Sequence, residues 1–155
     1  MTAHATSRAQ RAGRLAAAAA LVAVGSVTAS GTPAEAAVCG TGVKGVTVIV
    51  DLTAFGQGVK QACATGDPTS GLTALTGAGF TYTFVPRQPG FVCQINTKPN
   101  PCNGAPTTAY WSYWHAAKGG AWTYSTKGAA SYNPAPGTSE GWAFGAGKAP
   151  SVKAP

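Results

Sequence analysis

The chain has 155 residues, with eleven Lys and Arg, four Asp and Glu, two His, four Cys and a formal charge of +7. Beyond residue 37 this becomes seven lysines and Arg87 against Asp51, Asp67 and Glu140, a net charge of about +5. An excess of that sign suits an acidic wall polymer or a membrane surface, but lysines scattered singly describe a solvated face rather than a nucleic-acid footprint.

At the N-terminus, Arg8, Arg11 and Arg14 precede an apolar run from Leu15 to Val27, and a small-residue stretch ends in Pro33-Ala34-Glu35-Ala36-Ala37. This is the make-up of a secretory signal peptide over residues 1–36, with cleavage expected before Ala37 or Val38. The rival reading is a membrane anchor. The run is Ala-rich, broken by Gly25 and Ser26, and shorter than the roughly 20 apolar residues a spanning helix needs. The expectation is therefore a secreted, extracellular protein with no membrane span after cleavage. The β-branched Val38 directly before Cys39 argues against lipidation of that cysteine.

The roughly 118 residues that follow suffice for one domain with a modest core. Export, an even cysteine count and a small domain favour disulfides over free thiols, and the absence of a C-x-x-C pair leaves no zinc-knuckle scaffold. Pairing Cys39 with Cys63 and Cys93 with Cys102 uses the shortest loop closures of the three possible connectivities.

In chain order, Val46, Val48, Val50 and Leu52 share one face of a first strand. A turn at Gly56 and Gly58 leads to a return segment reaching Cys63. Asp67-Pro68 has the form of a helix start, Leu72 and Leu75 share a helical face, and Gly79 suits a left-handed stop. Phe80-Thr81-Tyr82-Thr83-Phe84-Val85 alternates as a half-buried strand. Phe91-Val92-Cys93-Gln94-Ile95 makes another, with Phe91, Cys93 and Ile95 on one face, and a Pro/Asn/Gly-rich loop runs over residues 96–106. Tyr110 to His115 and Trp122 to Tyr124 form a hairpin around Gly119-Gly120, and Trp142-Ala143-Phe144 is the last strand. Residues 147–155 have no apolar pattern and read as a disordered tail. One short helix across one face of a mixed sheet buries these faces economically. The fold expected is α+β, β-grasp-like, with two disulfides.

The chemistry-bearing residues are few. There is no G-x-S-x-G elbow, His115 stands without an evident partner, and the three carboxylates do not suggest a glycosidase pair or a hard-cation site. No cofactor, metal or catalytic residue is expected, and the protein is read as a non-enzyme and a monomer. Aromatic density stands out instead: nine rings fall between Tyr110 and Phe144. They either fill a small core or present a surface for a flat ligand, a sugar or a protein partner. Alternation puts Trp111, Tyr113 and His115 on one face and Tyr110, Ser112 and Trp114 on the other. The first set, helped by Trp122, is expected to be the exposed ligand-binding face, with Trp114 in the core beneath the helix.

The elements Asp67-Pro68-x-x-Gly71-Leu72-x-x-Leu75, Gly79-Phe80-x-Tyr82, Tyr110-Trp111-Ser112-Tyr113-Trp114 and Gly141-Trp142-Ala143-Phe144 resemble the small C-terminal β domain of transcobalamin and intrinsic factor. The likeness runs over residues 45–146 and extends to actinobacterial exported proteins with four cysteines. It implies a β-grasp domain that binds a soluble ligand. In the vitamin carriers this domain closes over cobalamin together with a large helical domain; this sequence has no such helical segment and no histidine placed as a cobalt ligand, so the ligand itself is not implied. The function expected is that of a secreted, non-catalytic binding module for a small molecule. A cell-envelope structural or protein-interaction role is the alternative.

Overall fold

A computed structural model describes Met1 and residues 38–155; the expected signal peptide and its cleavage site lie outside the described residues. The elements are β1 (Gly45–Asp51), β2 (Val59–Thr65), α1 (Gly71–Gly77), β3 (Tyr82–Val85), β4 (Gln88–Ile95), β5 (Tyr110–Ala116), β6 (Thr123–Tyr124) and β7 (Ser139–Gly145). Five strands form one mixed sheet in the order β2-β1-β7-β5-β6, with β1 and β7 parallel at its centre and the other neighbours antiparallel. A hairpin followed by a helix, and a last strand returning parallel beside the first, is the β-grasp-like α+β arrangement. The hairpin β3–β4 stands apart as a second sheet of two strands.

The β-branched face of β1 explains the core. Val46, Val48, Val50 and Leu52 lie under Leu72, Ala74 and Leu75 of α1, with Trp111, Tyr113 and Trp142 from the neighbouring strands in the same cluster. The helix is only seven residues long, below the length at which propensity alone sustains it, so this apolar contact is what holds it.

Its start differs from the sequence expectation. Ser70, not Asp67, is the cap: Ser70 Oγ accepts from the Thr73 amide at 3.1 Å, and Thr73 Oγ1 accepts from the Ser70 amide at 2.8 Å. This reciprocal pair satisfies two otherwise orphaned donors. Asp67 instead meets Lys44 Nζ at 3.1 Å in an exposed pair. The helix stops as expected at Gly79, which takes φ +84° while the amides of Phe80 and Gly79 donate to the carbonyls of Leu75 and Thr76.

Both disulfides have the expected pairing, Cys39–Cys63 and Cys93–Cys102. Strict alternation fails in β4. The register with β3 slips around Phe84, whose partner is Val92, so Cys93 is passed over. Val92, Cys93 and Ile95 are buried while Phe91 is exposed. The irregularity turns Cys93 toward Cys102 and turns Phe91 outward.

The C-terminal residues are also a correction, because they are not a loose tail. The Ser151 amide donates to Asp51 Oδ2 at 2.7 Å, the Gly119 amide to the Pro155 carbonyl at 2.9 Å, and Pro150 and Ala154 are buried. This segment covers the sheet face opposite α1, which is why Thr47, Ile49 and Asp51 are as buried as the valines between them. The absence of an apolar pattern misleads here because prolines and alanines lie flat on the sheet and main-chain groups supply the bonds.

Candidate binding cleft

β5 positions most of the aromatic side chains. The alternation along it is as expected, but the two faces are assigned the other way round. Trp111 and Tyr113 are 4 % and 7 % exposed and point into the core, while Trp114 is half-buried. The physical reason is volume: three buried side chains on a seven-residue helix beyond Gly71 leave a space that only large rings fill. Trp111 packs on Phe144 and Phe55, with ring centroids 5.5 and 6.0 Å away, and its indole donates to the Lys98 carbonyl at 2.9 Å. The opposite face needs a small residue, and there Ser112 Oγ donates to the Ala143 carbonyl at 2.8 Å.

The other two expected ligand residues are not brought to the same place. His115 stacks on Tyr132 at 4.6 Å with an interplanar angle of 12°. Trp122 lies on the far face, where its indole donates to the Val152 carbonyl at 2.7 Å. Its ring sits over Gly141, where an added Cβ would come within 3.0 Å of the ring and 2.7 Å of Pro150. Trp111, Tyr113, His115 and Trp122 therefore do not form one exposed surface.

What the fold does build is a cleft of about 340 Å³ at the edge of β5. It is lined by Phe91 and Val92 of β4, by the segment from Tyr124 to Ala129, and by Trp111, Tyr113 and Trp142. Phe91 and Tyr124 are 40 % and 45 % exposed, the largest exposed aromatic rings among the described residues. Among the described residues Lys127 is the one charged side chain in the lining, and no carboxylate lines it. The Trp142 indole N–H is buried and has no acceptor among the described residues. Phe91 was missed in the sequence because alternation counted it with Cys93 and Ile95. Lys127 was missed because nothing in a loop of small residues marks it.

A second polar centre lies within the core. The Tyr113 hydroxyl donates to Glu140 Oε1, and Glu140 Oε2 has no partner among the described residues. Burial pushes the Glu140 carboxyl up to about 7 despite the opposing hydrogen bond from Tyr113. Burial, and then the neighbouring Glu140 charge, raise Tyr113 and keep it protonated. Gly71 completes the site: a Cβ there would overlap the Tyr113 hydroxyl and come 3.0 Å from Glu140 Oε2.

The three carboxylates have separate partners. Asp67 pairs with Lys44, Asp51 holds Thr53 and Ser151, and Glu140 meets Tyr113. Among the described residues no three His, Cys, Asp or Glu side chains gather where a metal ion could be held, and no helix is long and apolar enough to cross a membrane. No family model, curated protein or solved structure matches the chain.

Proposed function

We propose that the protein is a secreted, non-catalytic binding module of transcobalamin-like type whose ligand enters the cleft at the edge of β5. The observation that carries this reading is the cleft itself: concave, lined by aromatic side chains and furnished with a lysine. Sites for small molecules combine apolar walls with a few polar groups in this way. The separate partners of Asp51, Asp67 and Glu140 favour binding over acid–base catalysis. Two disulfides suit an oxidising compartment, and the arginine-flanked apolar N-terminus supports export.

Native mass spectrometry of the protein recovered from culture medium tests the reading. The native chain should carry a bound adduct, and Phe91→Ala should lose it while melting at nearly the same temperature, because the ring removed is an exposed wall. Equal occupancy in both proteins, or no adduct in either, sinks the reading.

A further inference from the structure

We infer that the cleft takes an extended peptide, which adds to the free edge of β5 and sets a carboxylate beside Lys127. The inference rests on the binding-module reading and names the class of ligand. β5 pairs with β7 from Tyr110 to Ala116, but with β6 only at Trp114 and His115. In an antiparallel strand the N–H and C=O of one residue point to the same side, and alternate residues point to opposite sides. The Ser125 amide donates to the Tyr113 carbonyl at 2.9 Å on the β6 side. Trp111, two residues earlier, therefore directs both main-chain groups to that side, beyond the end of β6. Among the described residues neither group has a hydrogen-bond partner.

Trp111 is nonetheless 4 % exposed and lines the cleft. Buried main-chain groups are nearly always paired. An open donor and acceptor in strand geometry, facing an empty volume with aromatic walls, match a ligand that repeats N–H and C=O at strand spacing. A peptide strand is such a ligand, and its alternate side chains would meet Phe91 and Tyr124. The charge is complementary to a carboxylate. Among the described residues Lys127 has no ion-pair partner and no acidic side chain lines the cleft, and the domain as a whole is positive.

A mixed-sequence library of hexapeptides with free C-terminal carboxylates, passed over the immobilised oxidised protein and read by mass spectrometry, tests the inference. Retained peptides are remade with alternate backbone nitrogens methylated, and with a C-terminal amide. Methylation in one parity should weaken binding about tenfold, the loss of one main-chain bond, while the other parity has little effect. Amidation should weaken it about threefold, as for an exposed ion pair. Hydrogen exchange at the Trp111 amide should slow in the complex. Retention with equal sensitivity to both parities, or with unchanged Trp111 exchange, overturns strand addition. If no hexapeptide is retained but the Phe91-sensitive adduct is present, the peptide class falls and the binding module stands; if both are absent, both fall.

Discussion

The Tyr113 hydroxyl and Glu140 Oε1 are hydrogen-bonded diagonally across β5 and β7, beneath the first residue of α1 and out of reach of water. The Glu140 carboxyl, ordinarily near 4.5, is raised to about 7 by burial. Between those values the folded state binds a proton that the unfolded chain has released. Stability is therefore greatest below about pH 4.5 as far as this group is concerned, and falls as pH rises toward 7. A shift of that size corresponds to about 3 kcal/mol. Urea denaturation between pH 5 and 8 should show the decline, and Glu140→Gln should flatten it. A native curve as flat as the variant's would remove the buried carboxyl from the account.

Trp111→Ala and Trp114→Ala separate the two faces of β5. Trp111 is a core ring, so its loss should cost about 3 to 5 kcal/mol. Trp114 is half-buried, stacked edge-on against Tyr124 at 5.0 Å, and its truncation should cost distinctly less. Thermal melting of the two variants side by side reads the difference. Equal losses would mean that the face beneath the C-terminal segment is as much a core as the face beneath α1.

The sequence made the elements legible wherever one local rule decided. Alternating valines located β1, Gly79 marked the helix end, and short closures paired the cysteines. It left open whatever depended on which layer covered which face. Alternation in β5 names two sets of residues but not the set that meets α1, because that depends on the volume left by a helix with few large side chains. The C-terminal segment, with main-chain bonds and prolines in place of an apolar period, gave no sign that it would form a second covering layer. The cleft was illegible for the same reason: it exists because β6 is two residues long, and strand length is set by tertiary pairing.

Removing the disulfides singly should produce unequal losses. Cys39–Cys63 closes a separation of 24 residues and Cys93–Cys102 one of 9. Restriction of the unfolded chain then predicts about 3.5 and about 2.5 kcal/mol respectively. Equilibrium unfolding of the paired Cys→Ser variants measures both. A reversed order would show that the shorter bridge acts chiefly in the folded state, by holding the segment between β4 and β5 in place.

Asp51 ties the C-terminal segment to the sheet. Burial alone would raise its pKa, but hydrogen bonds from Thr53 and Ser151 outweigh that and hold it below the usual value. A depressed pKa contributes stability that is present above the unfolded value and lost as pH falls through the folded one, so the segment should loosen in acid. Amide exchange at Ser151 below pH 4 should accelerate before the sheet amides do. Unchanged protection there would show that packing, not the carboxylate, retains the segment.

Gly141 tests the packing itself. It lies in the central strand β7, between Ile49 of β1 and Trp114 of β5, and valine would suit that strand by propensity. A Cβ, however, would lie 2.7 Å from Pro150 and 3.0 Å from the Trp122 ring, so either the layer lifts or the strand bends. Gly141→Val should therefore destabilise the protein by about 1 to 3 kcal/mol, with a red shift of tryptophan emission as Trp122 loses its seat. Truncation before Lys148 removes Pro150 and the carbonyl of Val152 that accepts from Trp122, which leaves the ring free to move. In that shortened chain the same substitution should cost markedly less, a non-additivity that a double-mutant cycle measures directly. Equal costs in the two backgrounds would mean that the strain arises within the sheet, and that the C-terminal segment is a passive cover rather than part of the packed core.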